Sequence, residues 1–273
     1  MSNPNESSCN GWRPRLLLFL GLVAFAGCAA HPSSPSPTSG ASSTTPARAS
    51  SPGAPASPGA QEVDSFKKLA EIPPTSFEGE GWRPLFDRTT LAGWKETPFS
   101  GHGQIEVRDG LIVARMGDPF TGINWTNDFP KMNYEIALDA MRVNGADFFC
   151  GLTVPVQDSF CSLIVGGWGG ALVGISSLDG MDASENETTK YVTFTQNRWY
   201  RIRLRVTHDR LEAWIDQEKL IDVVTEGKRI SLRPGEIEES KPLGLACWQT
   251  GAAWRQIQVR EVDQPADKPR KQF

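Results

Sequence analysis

Apolar and polar residues alternate with a period of two through much of this chain, most sharply at Trp199–Asp216. There Tyr200, Ile202, Leu204 and Val206 interleave with Arg201, Arg203 and Arg205. A turn at His208-Asp209 sets Val206 opposite Leu211, Leu204 opposite Ala213 and Ile202 opposite Ile215. On the other face the same register brings Arg205 to Glu212, Arg203 to Trp214 and Arg201 to Asp216. Apolar pairing, opposite charges and an Arg–Trp contact thus agree on one hairpin. Asp109-Gly110, between the alternating runs Gln104–Arg108 and Leu111–Ala114, is a second hairpin signal. Asn133–Val143 predicts a long strand with Tyr134, Ile136 and Leu138 on one face. Leu220–Val224, Leu243–Trp248 and Trp254–Val262 supply later strands. Glu80–Trp94 reads as an entry strand whose aromatics pack over the sheet edge.

From Phe148 to Thr189 the pattern changes. Two apolar runs, Phe148–Val154 and Phe160–Val165, flank a turn containing Pro155, Gln157 and Asp158, as in a hairpin buried on both faces. Gly166-Gly-Trp-Gly-Gly170 follows, then the apolar run Ala171–Ile175 and an acidic loop. No segment sustains a helical period over three turns, so the pattern predicts an all-β sandwich or jelly roll.

The chain has 273 residues, but its ends do not share this pattern. Arg13 and Arg15 precede the apolar run Leu16–Gly27, which reads as an export signal too short to span a membrane. Cys28, directly after Ala26-Gly27, resembles a bacterial lipobox, with Phe25 where Leu is usual. That implies cleavage over 1–27 and a membrane anchor through lipidated Cys28; an ordinary secretory signal is the alternative. Residues 28–65, dominated by Ser, Pro, Ala, Thr and Gly, cannot bury enough apolar surface to offset ordering and predict a tether. The sandwich then occupies 66–262, about 200 residues, a length that suits one core. The polar stretch 263–273 is expected to be a disordered tail. This organisation places the protein outside the cytoplasm, in a bacterial cell envelope.

A formal net charge of −4 without a basic stripe argues against a nucleic-acid partner. Export permits disulfides. Cys150 and Cys161 would face one another if Pro155-Val156 formed the hairpin tip; three buried free thiols at Cys150, Cys161 and Cys247 is the other reading.

Candidate chemistry concentrates in and after the glycine-rich stretch. Asp179, Asp182, Glu185, Asn186 and Glu187 are clustered oxygen ligands or bases, a set hard cations favour, although the spacing is not that of an EF-hand. A solvated acidic turn is the plainer alternative. Trp168 has glycines on both sides, which favours exposing its ring. Trp248 and Gln249 sit at a late strand end. His102 lies between glycines in an early loop as a general-base imidazole.

Several short motifs resemble one family. Leu85-Phe-Asp-Arg-Thr-Thr-Leu-Ala-Gly-Trp94, Glu106-Val-Arg-Asp-Gly110, Trp199-Tyr200 and Trp254-Arg-Gln-Ile-Gln-Val259 are similar, in order and spacing, to the 3-keto-disaccharide hydrolase domain. That domain is also described as 3-keto-glucoside 1,2-lyase/3-keto-2-hydroxy-glucal hydratase. The resemblance implies a concanavalin-like jelly-roll sandwich of two antiparallel sheets, a carbohydrate ligand, and elimination from 3-keto-glycosides. In that chemistry Glu185, Glu187 and His102 are the catalytic candidates. Trp168, Trp248, Gln249 and Asn186 are substrate contacts, and Asp179 and Asp182 would hold a divalent metal. The sequence departs from the family at Phe149-Cys150-Gly151-Leu152, at Phe160-Cys161-Ser162-Leu163-Ile164, and at Trp248-Gln249-Thr250-Gly251, which lacks a histidine. A non-catalytic carbohydrate-binding module is therefore the alternative function.

Overall fold

The computed structural model describes residues 66–262. The expected export signal, lipidated Cys28, tether and tail fall on 1–65 and 263–273, outside the described residues. In chain order the strands are β1 (Arg83–Pro84), β2 (Trp94–Glu96), β3 (Ile105–Arg108), β4 (Leu111–Ala114), β5 (Phe120–Trp125), β6 (Tyr134–Gly145), β7 (Cys150–Val156), β8 (Ser159–Gly167), β9 (Leu172–Ser176), β10 (Lys190–Tyr191), β11 (Tyr200–Val206), β12 (Arg210–Ile215), β13 (Glu218–Val224), β14 (Gly244–Trp248) and β15 (Thr250–Glu261). They form two antiparallel sheets. One has eight strands in the order β13-β12-β11-β6-β15-β4-β3, with β1 beside β15; the other has seven, in the order β10-β9-β8-β7-β14-β5-β2. The predicted all-β sandwich is what the chain forms.

Side-chain alternation builds the core between the sheets. Tyr134, Ile136, Leu138 and Ala140 of β6 meet Cys150, Leu152 and Val154 of β7, Leu163 and Val165 of β8, and Leu245 of β14. Burying each large aliphatic or aromatic side chain here is worth roughly 1.5–3 kcal/mol. Trp254, fully buried, also gives its indole N–H to the Phe149 carbonyl at 2.9 Å, so its polar atom crosses the interior satisfied.

The β11–β12 hairpin has the predicted register, with Ile202 opposite Ile215, Leu204 opposite Ala213 and Val206 opposite Leu211. Arg203 lies over the Trp214 ring at 4.2 Å and Arg205 reaches Glu212 at 3.6 Å. The expected side-chain pairing of Arg201 with Asp216 takes another form. Asp216 accepts the Arg201 backbone N–H at 2.9 Å, while the guanidinium turns to Asp139 at 3.1 Å. The cause is β6, which lies on the other side of β11 and sets Asp139 opposite Arg201 and Glu135 opposite Arg205. Both carboxylates are buried, where ion pairs are less screened than at the surface. Glu135 is fully buried between Arg203 (3.1 Å), Arg205 (3.0 Å) and Arg260 (2.8 Å). Its Oε1 is close enough to Arg203 for ion pairing but not aligned for a hydrogen bond.

The β7–β8 hairpin turns at Gln157-Asp158 rather than Pro155-Val156. Cys161 therefore pairs with Val154 and Cys150 with Val165, and all three cysteines of the sandwich are free and buried. Burial pushes the Cys161 and Cys247 thiols up to about 12 and raises Cys150 further. With almost no thiolate at neutral pH, these three are expected to resist iodoacetamide in the native protein and to alkylate fully in guanidinium. Peptide mapping by mass spectrometry checks this.

Before β1 the chain crosses the outer face of the eight-stranded sheet. A short helix at 66–71 seats Phe66 on Leu111 and Val113. Trp199 Nε1 donates to the Leu69 carbonyl (3.0 Å), Arg255 to that of Ile72 (2.7 Å), and Arg201 to those of Thr75 and Ser76 (2.6 and 2.9 Å). That segment covers part of one outer face. The open concavity lies on the outer face of the other sheet.

Candidate functional site

On β5, β7, β8, β9 and β14, every second residue points away from the core, onto the outer face of the seven-stranded sheet. A second apolar cluster forms there from Phe99, Phe148, Ile164, Leu172, Ala183, Ile237 and Ala246, with Phe120 and Trp248 packed against it. Over it opens a cleft of about 540 Å³. Phe120 and Trp248 meet edge to face at 4.5 Å, Phe120 stacks on Phe99 at 4.8 Å, and Phe148 lies 6.4 Å from Trp248. Such rings present an apolar floor suited to the C–H face of a pyranose.

The acidic loop after β9 folds over this floor. Gly174 makes that possible: a Cβ there would lie 2.7 Å from the Ala183 carbonyl oxygen. Leu178 bridges both Met181 and Ile230, and Asp179 N–H donates to the Arg229 carbonyl at 2.8 Å, so the loop is zipped to the 229–231 segment. The pairing delivers Arg233 to Asp182. Asp182 takes Arg233 Nη1 on Oδ2 at 2.6 Å, and on Oδ1 it accepts Ser176 Oγ at 2.5 Å and the Ala183 N–H at 2.7 Å. Both residues line the cleft, with Asp147, Ser162, Ser176, Pro234 and Glu236. Asp147 is pinned by the N–H groups of Phe148 (2.8 Å) and Gly169 (3.1 Å). Glu236 opens the 3-10 turn Glu236–Ser240; its exposed side chain has no ion pair or hydrogen bond among the described residues.

Of the residues singled out from sequence, Trp168, Trp248 and Asp182 come together in the cleft. Trp168 is 44% exposed and sits at φ +48°, a left-handed conformation unusual for a bulky side chain and costly by about 1 kcal/mol or more. The other candidates lie elsewhere. Asn186 is buried as a bracket: its Nδ2 donates to the carbonyls of Ile175, Met181 and Asp182, and its Oδ1 accepts the N–H and hydroxyl of Thr188. Every polar atom is spent on closing the loop. Glu187 points outward to Lys228 at 2.6 Å, and Glu185 is exposed outside the cleft lining. Gln249 is the exposed corner residue between the sheets, its N–H bonded to Pro119. His102 lies in the β2–β3 loop, 3.8 Å from Glu96 and outside the cleft lining.

The two aspartates read as metal ligands face different partners. Asp179 accepts the Arg229 N–H and lies 3.9 Å from Lys228, whereas Asp182 is held by Arg233. Among the described residues no three His, Cys, Asp or Glu side chains converge to hold an ion. The donor set does not fit a divalent metal.

Asp147, Arg233 and Glu236 were missed because they enter from separate loops. Ser162 was hidden inside an apolar run that reads as buried on both faces. On β8, Cys161 and Leu163 face the core, and Ser162 and Ile164 face the cleft.

Fold and cleft define a class, an antiparallel sandwich with an aromatic, carboxylate-bearing cleft on the outer face of one sheet. Residues 81–260 match the model of the 3-keto-alpha-glucoside-1,2-lyase-like domain, and the chain belongs to that carbohydrate-active family. Comparison with curated proteins finds no match. Among solved structures, a protein of unknown function with a galectin-like fold from Bacillus subtilis is similar at 12% identity and a TM-score of 0.50, over 70% of this chain and 100% of that one. A Crh5 transglycosylase in complex with NAG is 14% identical over 71% of this chain and 88% of its own, with a TM-score of 0.46. The carbohydrate-binding module CBM66 from Bacillus subtilis is 14% identical over 62% and 96%, with a TM-score of 0.39. At such identities the likeness is one of fold alone.

Proposed function

We propose that the domain binds a glycoside in this cleft and cleaves 3-keto-glycosides by proton abstraction at C2 and elimination at C1. The observation that carries the reading is an unengaged carboxylate, Glu236, sharing a cleft with the Asp182-held guanidinium of Arg233 in a domain of this family. A ketone at C3 acidifies the C2 proton. Glu236 takes that proton, and the electron pair moves onto the C3 oxygen, where Arg233 supplies a charged donor for the developing enolate. As the carbonyl re-forms, a C1–C2 double bond forms and the C1–O bond breaks; the departing oxygen takes up a proton. Water adding across C1–C2 completes the hydratase half. Trp168 and the aromatic floor hold the ring, and Asp147, fixed by two amides, accepts sugar hydroxyls. Asp182 is a positioning residue for Arg233. Export, and anchoring through Cys28, complete the proposal and place the cleft outside the cytoplasm.

Incubating the purified protein with a chromogenic 3-keto-glucoside tests this reading, with aglycone release expected. Binding without release would instead favour a carbohydrate-binding module, to which the aromatic floor and exposed Trp168 are equally suited. Neither binding nor release would remove the sugar reading.

A further inference from the structure

The Trp168 turn is held from the opposite sheet. Arg142 is on β6, in the eight-stranded sheet, and its side chain is buried at the end of the sandwich. Its Nη2 donates to the carbonyls of Gly166 at 3.1 Å and Gly170 at 2.7 Å, the two ends of the glycine-rich turn. The guanidinium lies 5.3 Å from the Phe149 ring centroid and 6.0 Å from that of Phe194. Its Nε has no partner among the described residues. A buried cation is expensive unless acceptors satisfy it, and the acceptors Arg142 reaches are backbone carbonyls on both sides of Trp168.

The turn is shaped to that guanidinium. β8 is irregular between Val165 and Gly167, and Gly166 there has φ +82°; a Cβ on it would lie 2.5 Å from Arg142 Nη2. Gly170, at φ +109°, is closed onto Gly167 by a backbone hydrogen bond of 3.1 Å. From the cleft side Asp147 Oδ2 accepts the Gly169 N–H. Two charged side chains, one from each side, thus fix a turn whose glycines would otherwise leave it loose. The unusual backbone of Trp168 persists because its surroundings impose it.

We infer that Arg142 is a positioning residue, which reaches across the sandwich to hold the 166–170 turn so that Trp168 stands in the cleft in a sugar-accepting pose. This rests on the cleft being the sugar site. Arg142 itself contacts no substrate, and its effect travels through the turn.

The test pairs a readout that needs no sugar with one that does. In R142M, exchange of the Gly170 amide hydrogen is expected to accelerate tenfold or more, with amides of the β6–β11 ladder unchanged. KM for the glycoside is expected to rise by about the factor seen in W168A, with kcat within roughly twofold. The double variant R142M/W168A should match W168A alone, because the loss runs through Trp168. R142K, which keeps the charge but lacks the planar fork, should fall between wild type and R142M. If R142M does not fold, R142K carries the test, with faster Gly170 exchange and a higher KM than wild type expected and unchanged values overturning the inference. Unchanged Gly170 exchange, or an R142M effect on KM that persists undiminished in the W168A background, overturns the inference. Should the wild-type protein bind no glycoside, the proposed function fails while the amide-exchange result still decides the role of Arg142.

Discussion

Replacing Glu236 by Gln is expected to slow aglycone release from a 3-keto-glucoside by a factor on the order of 10²–10⁴, the usual weight of a general base. KM should move little, since the amide keeps the shape of the side chain and removes only its ability to take the C2 proton. Steady-state kinetics separate the two parameters. Glu187→Gln is the matched control. Its carboxylate pairs with Lys228 outside the cleft lining, and its removal should leave turnover within about twofold of wild type. Equal losses in both variants would mean that the loss does not come from removing a base in the cleft.

The largest stability effect is expected far from the cleft, at Glu135→Ala. That carboxylate is the shared anion for Arg203, Arg205 and Arg260 on the outer face of the eight-stranded sheet. Deleting it leaves three partly buried guanidinium groups facing one another, and breaking a buried ionic cluster in this way costs about 3–5 kcal/mol. At about 2–4 °C per kcal/mol for a domain of this size, thermal unfolding should begin roughly ten degrees lower. Glu135→Gln, which can still accept hydrogen bonds, should lose less. Urea melts of the three proteins check the order. A loss under about 1 kcal/mol for the alanine variant would mean that solvent already screens the cluster.

These two residues illustrate what the sequence disclosed and what it withheld. The β11–β12 hairpin was legible to the residue because its apolar face, its charged face and its turn each specify the same register. Asp109-Gly110 was legible because both positions adopt left-handed backbone, which this dipeptide favours. The β11–β12 hairpin gave no hint of Glu135, whose pairing depends on β6 lying along the far side of β11, a contact between residues about seventy positions apart.

The cleft was harder for a similar reason. Its walls come from β5, β8, β14 and several loops, and no local pattern ties Arg233 or Glu236 to Trp168. Trp168 could be read because glycines on both sides leave a large ring little to pack against. Asn186 and Glu187 looked functional by composition alone. The fold spends the first on a loop bracket and the second on a surface ion pair, uses that leave no trace in residue type. Ser162 carried no signal, because the run Phe160–Val165 reads as buried on both faces and so does not tell the core side from the cleft side.

The most direct test of the account is a crystal structure of the protein soaked with a non-cleavable glycoside. The expected result is density for the sugar on the outer face of the seven-stranded sheet, its ring against Trp168 or Trp248 and its C3 oxygen within hydrogen-bonding distance of Arg233. A sugar bound on the eight-stranded sheet, or in the seven-stranded concavity without contact to Trp168, Arg233 or Glu236, would contradict it.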